Sequence, residues 1–194
     1  MLNWPNFLTA LRILCAPVFV FFLLAPSAGA RTVATAIFVA AAVTDFVDGY
    51  LARKLRCGTD FGKFLDPIAD KVLVISALVC LAWMRRIPLW MVLAVVARDL
   101  IIMGFRGVAA SRGIYIFPSA LARLKTMLLM AAVVAVLVEL IWPYWSRGAA
   151  AEEVGAAVAF VAAVTLWVAV VLTLATGVWY LWKNRQVLVT IFVR

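Results

Sequence analysis

Six apolar runs separated by short polar breaks organise the chain. They cover about 9–24, 33–53, 66–84, 89–108, 120–142 and 154–182. A helix needs about 20 mostly apolar residues to cross the hydrocarbon of a bilayer. The pattern therefore predicts an all-α, polytopic membrane protein with six transmembrane helices. A short N-terminal juxtamembrane segment, Met1-Leu-Asn-Trp-Pro-Asn6, leads into the first, and the whole chain, 1–194, forms one membrane domain. The sixth run carries no charge and is long enough to tilt or to extend past the membrane. Ala28-Gly29-Ala30 resembles a signal-cleavage site. Yet no basic residue precedes Arg12, and Arg12 lies inside the first run, so this segment is expected to be retained as a span.

Composition strengthens that picture. Apolar residues make up 68% of the 194 positions, and mean hydropathy is +1.11. A soluble domain carries about 45–50% apolar residues. A water-soluble globule cannot hide such an excess, and intrinsic disorder is excluded by the same numbers. The three cysteines, Cys15, Cys57 and Cys80, show no metal spacing and read as free thiols.

The formal charge is +9, from 18 Lys and Arg against 9 Asp and Glu, with no His. In so apolar a chain the partners of this charge are membrane lipids and an anionic substrate, not nucleic acid. Eleven basic residues fall in the connections 53–63 and 106–125 and in the tail from Lys183, and four fall on the opposite side. The positive-inside rule then puts the first set and both termini on the cytoplasmic face of a bacterial-type inner membrane. Arg85-Arg86 is the exception to that count. Glu139, near the outer end of the fifth run, is expected to pair or to snorkel. Trp142, Tyr144, Trp145, Trp179, Tyr180 and Trp182 read as interfacial belts. Lys183 and Arg185 read as headgroup contacts.

Five of the nine acids lie within 26 residues: Asp45, Asp48, Asp60, Asp66 and Asp70. Carboxylates in membrane helices are costly unless paired or wet, so they mark a site. Asp45 and Asp48 are three apart, and Asp66 and Asp70 four apart, so each pair shares one helix face. A short loop would join the two helices as a hairpin and bring the four acids together. Four carboxylates repel one another and need cations, and hard oxygen donors suit Mg²⁺ or Mn²⁺. Separate salt bridges to neighbouring Lys and Arg are the plainer alternative. Gly49, Ala52, Gly58 and Gly62 are small enough for a ligand or a second helix to approach the backbone. Arg53, one turn from the acids, can hold a phosphate, and Thr59 offers a hydroxyl. The lack of His leaves a carboxylate as the available general base.

These residues carry a family resemblance. Asp45-Phe-Val-Asp48-Gly49-Tyr-Leu-Ala52-Arg53, eight residues, then Gly62-Lys-Phe-Leu-Asp66-Pro-Ile-Ala-Asp70 fits D-x2-D-G-x2-A-R-x8-G-x3-D-x3-D. This resembles the signature of the CDP-alcohol phosphatidyltransferases. Asn6-x2-Thr9-x2-Arg12 and the six-span plan are similar too, so the resemblance covers nearly the whole chain. It implies a metal-dependent transferase of phospholipid biosynthesis that takes the phosphatidyl group from CDP-diacylglycerol. It further implies a pair of ions held by Asp45, Asp48, Asp66 and Asp70. The CDP-lipid would be bound by Asn6, Thr9, Gly49, Ala52, Arg53, Thr59 and Gly62. Asp70 would be the base on the acceptor hydroxyl. A homodimer is a further expectation.

The stretch 62–71, Arg98-Asp-Leu-Ile-Ile-Met-Gly-Phe-Arg106 and Arg123-Leu-Lys125-Thr126 most resemble the branch that forms phosphatidylglycerophosphate from glycerol 3-phosphate. Arg98, Arg106, Arg123 and Lys125 would then hold the acceptor phosphate. That branch usually has Glu in place of Asp99, Gly-Lys-x-Lys-Thr in place of 122–126, and an acid near Trp179. The Arg98-Asp99 pair also resembles the CMP-forming cardiolipin synthases, whose acceptor is phosphatidylglycerol. A reading from another class is a divalent-cation transporter. All four acids near one membrane surface suit a reaction site better than a midplane transport site.

Overall fold

In the computed structural model the described backbone covers 4–55, 60–114, 120–146, 148–187 and 189. Side chains are described for 11–44, 71–114, 124–146, 148, 151–187 and 189. Six long helices follow in order: α1 (Trp4–Leu24), α2 (Ala28–Leu55), α3 (Asp60–Trp83), α4 (Leu89–Ser111), α5 (Ala120–Trp145) and α6 (Ala149–Lys183). Among the described residues there is no strand. Each helix matches one of the apolar runs to within a residue or extends past it, by six residues at the start of α3 and five at the start of α2. Apolar length marks the part of a helix suited to hydrocarbon, while the helix itself also runs through polar turns. Thr32 shows how such a turn is satisfied: its hydroxyl bonds the Ala28 carbonyl at 2.9 Å.

The helices run alternately up and down. At one end, Arg31 of α2 donates to the Tyr144 hydroxyl of α5 at 2.6 Å, and the Trp145 indole donates to Thr32 at 2.9 Å. Arg86, just past α3, pairs with Glu139 of α5 at 3.1 Å, as expected for that acid. Helix α1 packs against both α2 and α3, with the Phe19 and Phe38 rings 5.6 Å apart. The most extensive pairing is α5 with α6. Helices α4 and α6 run parallel: Trp90 meets Trp167, Arg98 meets Thr176, and Phe105 meets Tyr180.

One core joins all six helices, built on Phe19, Phe38, Leu78, Met91, Leu137 and Val170. Small residues, Ala16, Ala34, Ala77, Ala132 and Ala169, sit fully buried at the contacts and let the backbones approach. The outside is apolar as well: Phe21, Phe160 and Val178 are each at least 70% exposed. A helix that is apolar on all sides belongs in a membrane. By length and composition, 124–145 and 151–183 qualify as spans on their own among the described residues.

Two helix ends share one geometry. After α4, Gly113 takes φ 77°, and the amide of Ile114 reaches back to the Ala109 carbonyl at 2.9 Å. After α3, Arg85 takes φ 57°, and the Arg86 amide reaches the Leu81 carbonyl at 2.9 Å. Both are Schellman caps, which favour Gly at the left-handed position. Arg85 fills it with an L side chain.

The interfacial belts need one correction. Trp145 and Trp182 are well exposed and Trp179 partly so, but Tyr180 is buried. It turns inward because α4 supplies a ring for it: Phe105 meets it edge-on at 6.1 Å. Lys183 lies over the Trp179 ring and Arg185 over the Trp182 ring, 5.0 and 5.2 Å from their centroids. Cys15 and Cys80 are free thiols as expected, and Cys57 lies outside the described residues.

Candidate active site

The acid signature falls on two helices. Asp45, Asp48, Gly49, Ala52 and Arg53 lie in the second half of α2, and Gly62, Asp66 and Asp70 in the first half of α3. The three- and four-residue spacings are therefore helical spacings, and each acid pair holds one helix face. Asn6 and Thr9 lie at the start of α1, and Arg123 in the first turn of α5. The side chains of all these residues lie outside the described set, and so does Thr59 altogether.

The next residue after Asp70 opens the described part of the site. Lys71 donates to Asp99 Oδ2 at 2.6 Å. Arg98 Nη1 donates to Asp99 Oδ1 at 2.8 Å, and Lys125 Nζ donates to the same oxygen. Helices α3, α4 and α5 thus meet on one carboxylate. Lys125 is 5% exposed, and the Arg98 and Asp99 side chains only 11% and 12%. Charges that far from water must be paired and hydrogen-bonded. Among the described residues, three cations meet on one anion.

Helix α6 closes the cluster from the fourth side. Arg98 Nη2 reaches Thr176 Oγ1 at 3.4 Å, while that hydroxyl bonds back to the Leu172 carbonyl at 2.7 Å. The Arg98 side chain lies flat on Gly177. A Cβ there would stand 2.7 Å from Arg98 Cγ and 2.8 Å from Nε. Among the described residues, Arg98 Nε, Thr173 Oγ1 and Tyr180 Oη are buried with no partner.

Of the four basic residues expected at an acceptor phosphate, Arg98 and Lys125 are brought together. Arg106 sits two turns further along α4 and is exposed. Sequence reasoning gave no role to Lys71, Thr176 or Gly177, and took Tyr180 for a belt residue. Lys71 stood beside the last signature acid, which was a signal. Gly177, inside an otherwise apolar helix, was a weaker one.

Residues 2–182 match the family model for CDP-alcohol phosphatidyltransferase. The chain is 38% identical, over 98% of its length and 99% of the relative's, to the CDP-diacylglycerol–glycerol-3-phosphate 3-phosphatidyltransferase of Bacillus subtilis strain 168. It is 35% identical to the protein of that name from Rickettsia typhi, over 93% of this chain and 96% of that one. The Salmonella typhimurium protein of the same name is 38% identical, over 85% and 90%. A bundle of apolar helices with paired acids on α2 and α3 and a match along almost its entire length make this chain a member of the CDP-alcohol phosphatidyltransferase family.

Proposed function

We propose that the protein transfers the phosphatidyl group of CDP-diacylglycerol to glycerol 3-phosphate, releasing CMP and phosphatidylglycerophosphate. The observation that carries this is the cluster of Lys71, Arg98 and Lys125, three cations gathered on one carboxylate among the described residues, which suits an anionic phosphate. Relatives of that name along nearly the full chain support the same acceptor. The relatives named above support neither phosphatidylglycerol as acceptor nor ion transport.

The protein acts as one domain of six transmembrane helices, with the site and both termini on the cytoplasmic side. The donor set fits hard divalent ions, with Asp45 and Asp48 on one face of α2 and Asp66 and Asp70 on one face of α3. Those four acids would hold two Mg²⁺ or Mn²⁺ ions. Bound there, the ions neutralise charge on the diphosphate and on the departing CMP. Asn6, Thr9, Gly49, Ala52, Arg53, Thr59 and Gly62 bind the CDP-lipid. Arg98 and Lys125, with Arg106 and Arg123, orient the acceptor phosphate. Asp70 takes the proton of the acceptor hydroxyl as that oxygen attacks the phosphorus bearing the diacylglycerol. The bond to CMP breaks in the same displacement. The protein works as a homodimer in contact with membrane lipids.

The test is CMP release by purified protein given CDP-diacylglycerol and Mg²⁺ or Mn²⁺. Release with glycerol 3-phosphate and not with phosphatidylglycerol is expected. Release only with phosphatidylglycerol would transfer the assignment to cardiolipin synthesis.

A further inference from the structure

We infer that Asp99 is a positioning residue for the transfer, acting through Lys71 on the helix turn of Asp70 and through Arg98 and Lys125 on the acceptor phosphate. This rests on the function proposed above. The two carboxylate oxygens of Asp99 are divided between helices: Oδ2 takes Lys71 of α3, and Oδ1 takes Arg98 of its own helix and Lys125 of α5. With three donors on it, Asp99 is spoken for as an acceptor. It is not the base of the reaction, and it touches no reacting atom in this role. Its effect is geometric. Three cations this close repel, Arg98 and Lys125 at low dielectric and the half-buried Lys71 less so, and a single carboxylate between them fixes their separation.

Lys71 gives that geometry its reach. It is covalently next to Asp70 on α3, so the 2.6 Å bond to Asp99 sets the rotation and depth of the turn that carries Asp70. The same carboxylate sets Lys125 and Arg98 on the other side. Asp99 thereby couples the position of the attacking hydroxyl's base to the position of the acceptor's phosphate. Most of the CDP-lipid residues lie on α1 and α2, helices that supply none of the described donors to Asp99. Its loss should therefore be felt by the acceptor and not by the donor.

The experiment measures the KM of each substrate in wild type, Asp99→Asn, Asp99→Glu and Lys71→Gln, with thermal stability read in the same detergent. Wild type comes first: no CMP release with glycerol 3-phosphate would refute the proposed function itself, whatever the variants do. With wild type active, Asp99→Asn is expected to raise the KM for glycerol 3-phosphate at least about tenfold, the loss of a charge-assisted contact, with the KM for CDP-diacylglycerol unchanged. Asp99→Glu restores the carboxylate and should recover most of that loss. Lys71→Gln relieves repulsion among the cations, so it remains assembled if Asp99→Asn does not, and its acceptor KM should rise as well. A wild-type acceptor KM in Asp99→Asn or Lys71→Gln would overturn the inference. So would an equal rise for both substrates, which marks a merely structural role.

Discussion

Replacing Gly177 by Ala tests the packing of Arg98 through the sign of the effect. In a helix interior Ala is favoured over Gly by about 1 kcal/mol, so the change should stabilise α6 if nothing stands in the way. The structure puts Arg98 in the way: the new Cβ would lie 2.7 Å from Cγ and 2.8 Å from Nε. Cγ is near the root of the side chain, so the whole arginine must swing away. Its 2.8 Å bond to Asp99 then breaks, along with its reach to Thr176. A hydrogen bond to a charged group contributes about 1.5–3 kcal/mol, and Arg98 is mostly buried, so solvent recovers little of it. Against the propensity gain, the net is a destabilisation of about 0.5–2 kcal/mol, or a fall in Tm of roughly 1–8 °C for a chain of this size. Thermal unfolding in detergent measures it. Gly104→Ala is the control, because nothing lies within 4 Å of a Cβ there. It should raise Tm. A Gly177→Ala protein as stable as the control would refute the packing of Arg98 against α6.

Two further outcomes follow from the site and the caps. Chelation of divalent ions should abolish CMP release, and Mg²⁺ or Mn²⁺ should restore it; activity surviving thorough chelation would remove Asp45, Asp48, Asp66 and Asp70 as ion ligands. Arg85→Gly should stabilise the protein by about 0.5–1 kcal/mol, because a left-handed L residue is strained and the Schellman cap keeps its backbone bonds. An unchanged or lower Tm would mean that the Arg85 side chain contributes more than the strain costs.

The number and order of the helices were legible because hydropathy reports each one separately. Their ends were not, since Thr32 and the polar start of α3 are helical without being apolar. The acid pairs on α2 and α3 were legible for the same local reason: the spacing within one helix suffices to place two residues on one face. The basic cluster was only half legible. Arg98 and Lys125 stood out as charges in or near spans. Their meeting on Asp99, with Lys71 as the third donor, depends on how α3, α4 and α5 pack. Arg98 and Thr176 are 78 residues apart, and no local pattern couples them. Tyr180 failed as a belt residue because composition near a helix end does not say which face turns inward.

The position of Arg98 and Asp99 near the middle of α4 also bears on how the chain enters the membrane during synthesis. Each such charge at a helix centre opposes insertion by about 2.5–3.5 kcal/mol. The groups that neutralise and cradle them, Lys125, Thr176 and Gly177, are made later, on α5 and α6. Among the described partners, only Lys71 precedes them. In the six-span topology proposed above, helix α4 is a dependent span: it has to wait at the membrane surface or in the insertion machinery until the last two helices emerge. A ribosome stalled before α6 should leave α4 accessible from the aqueous side, and completion of the chain should seal it in.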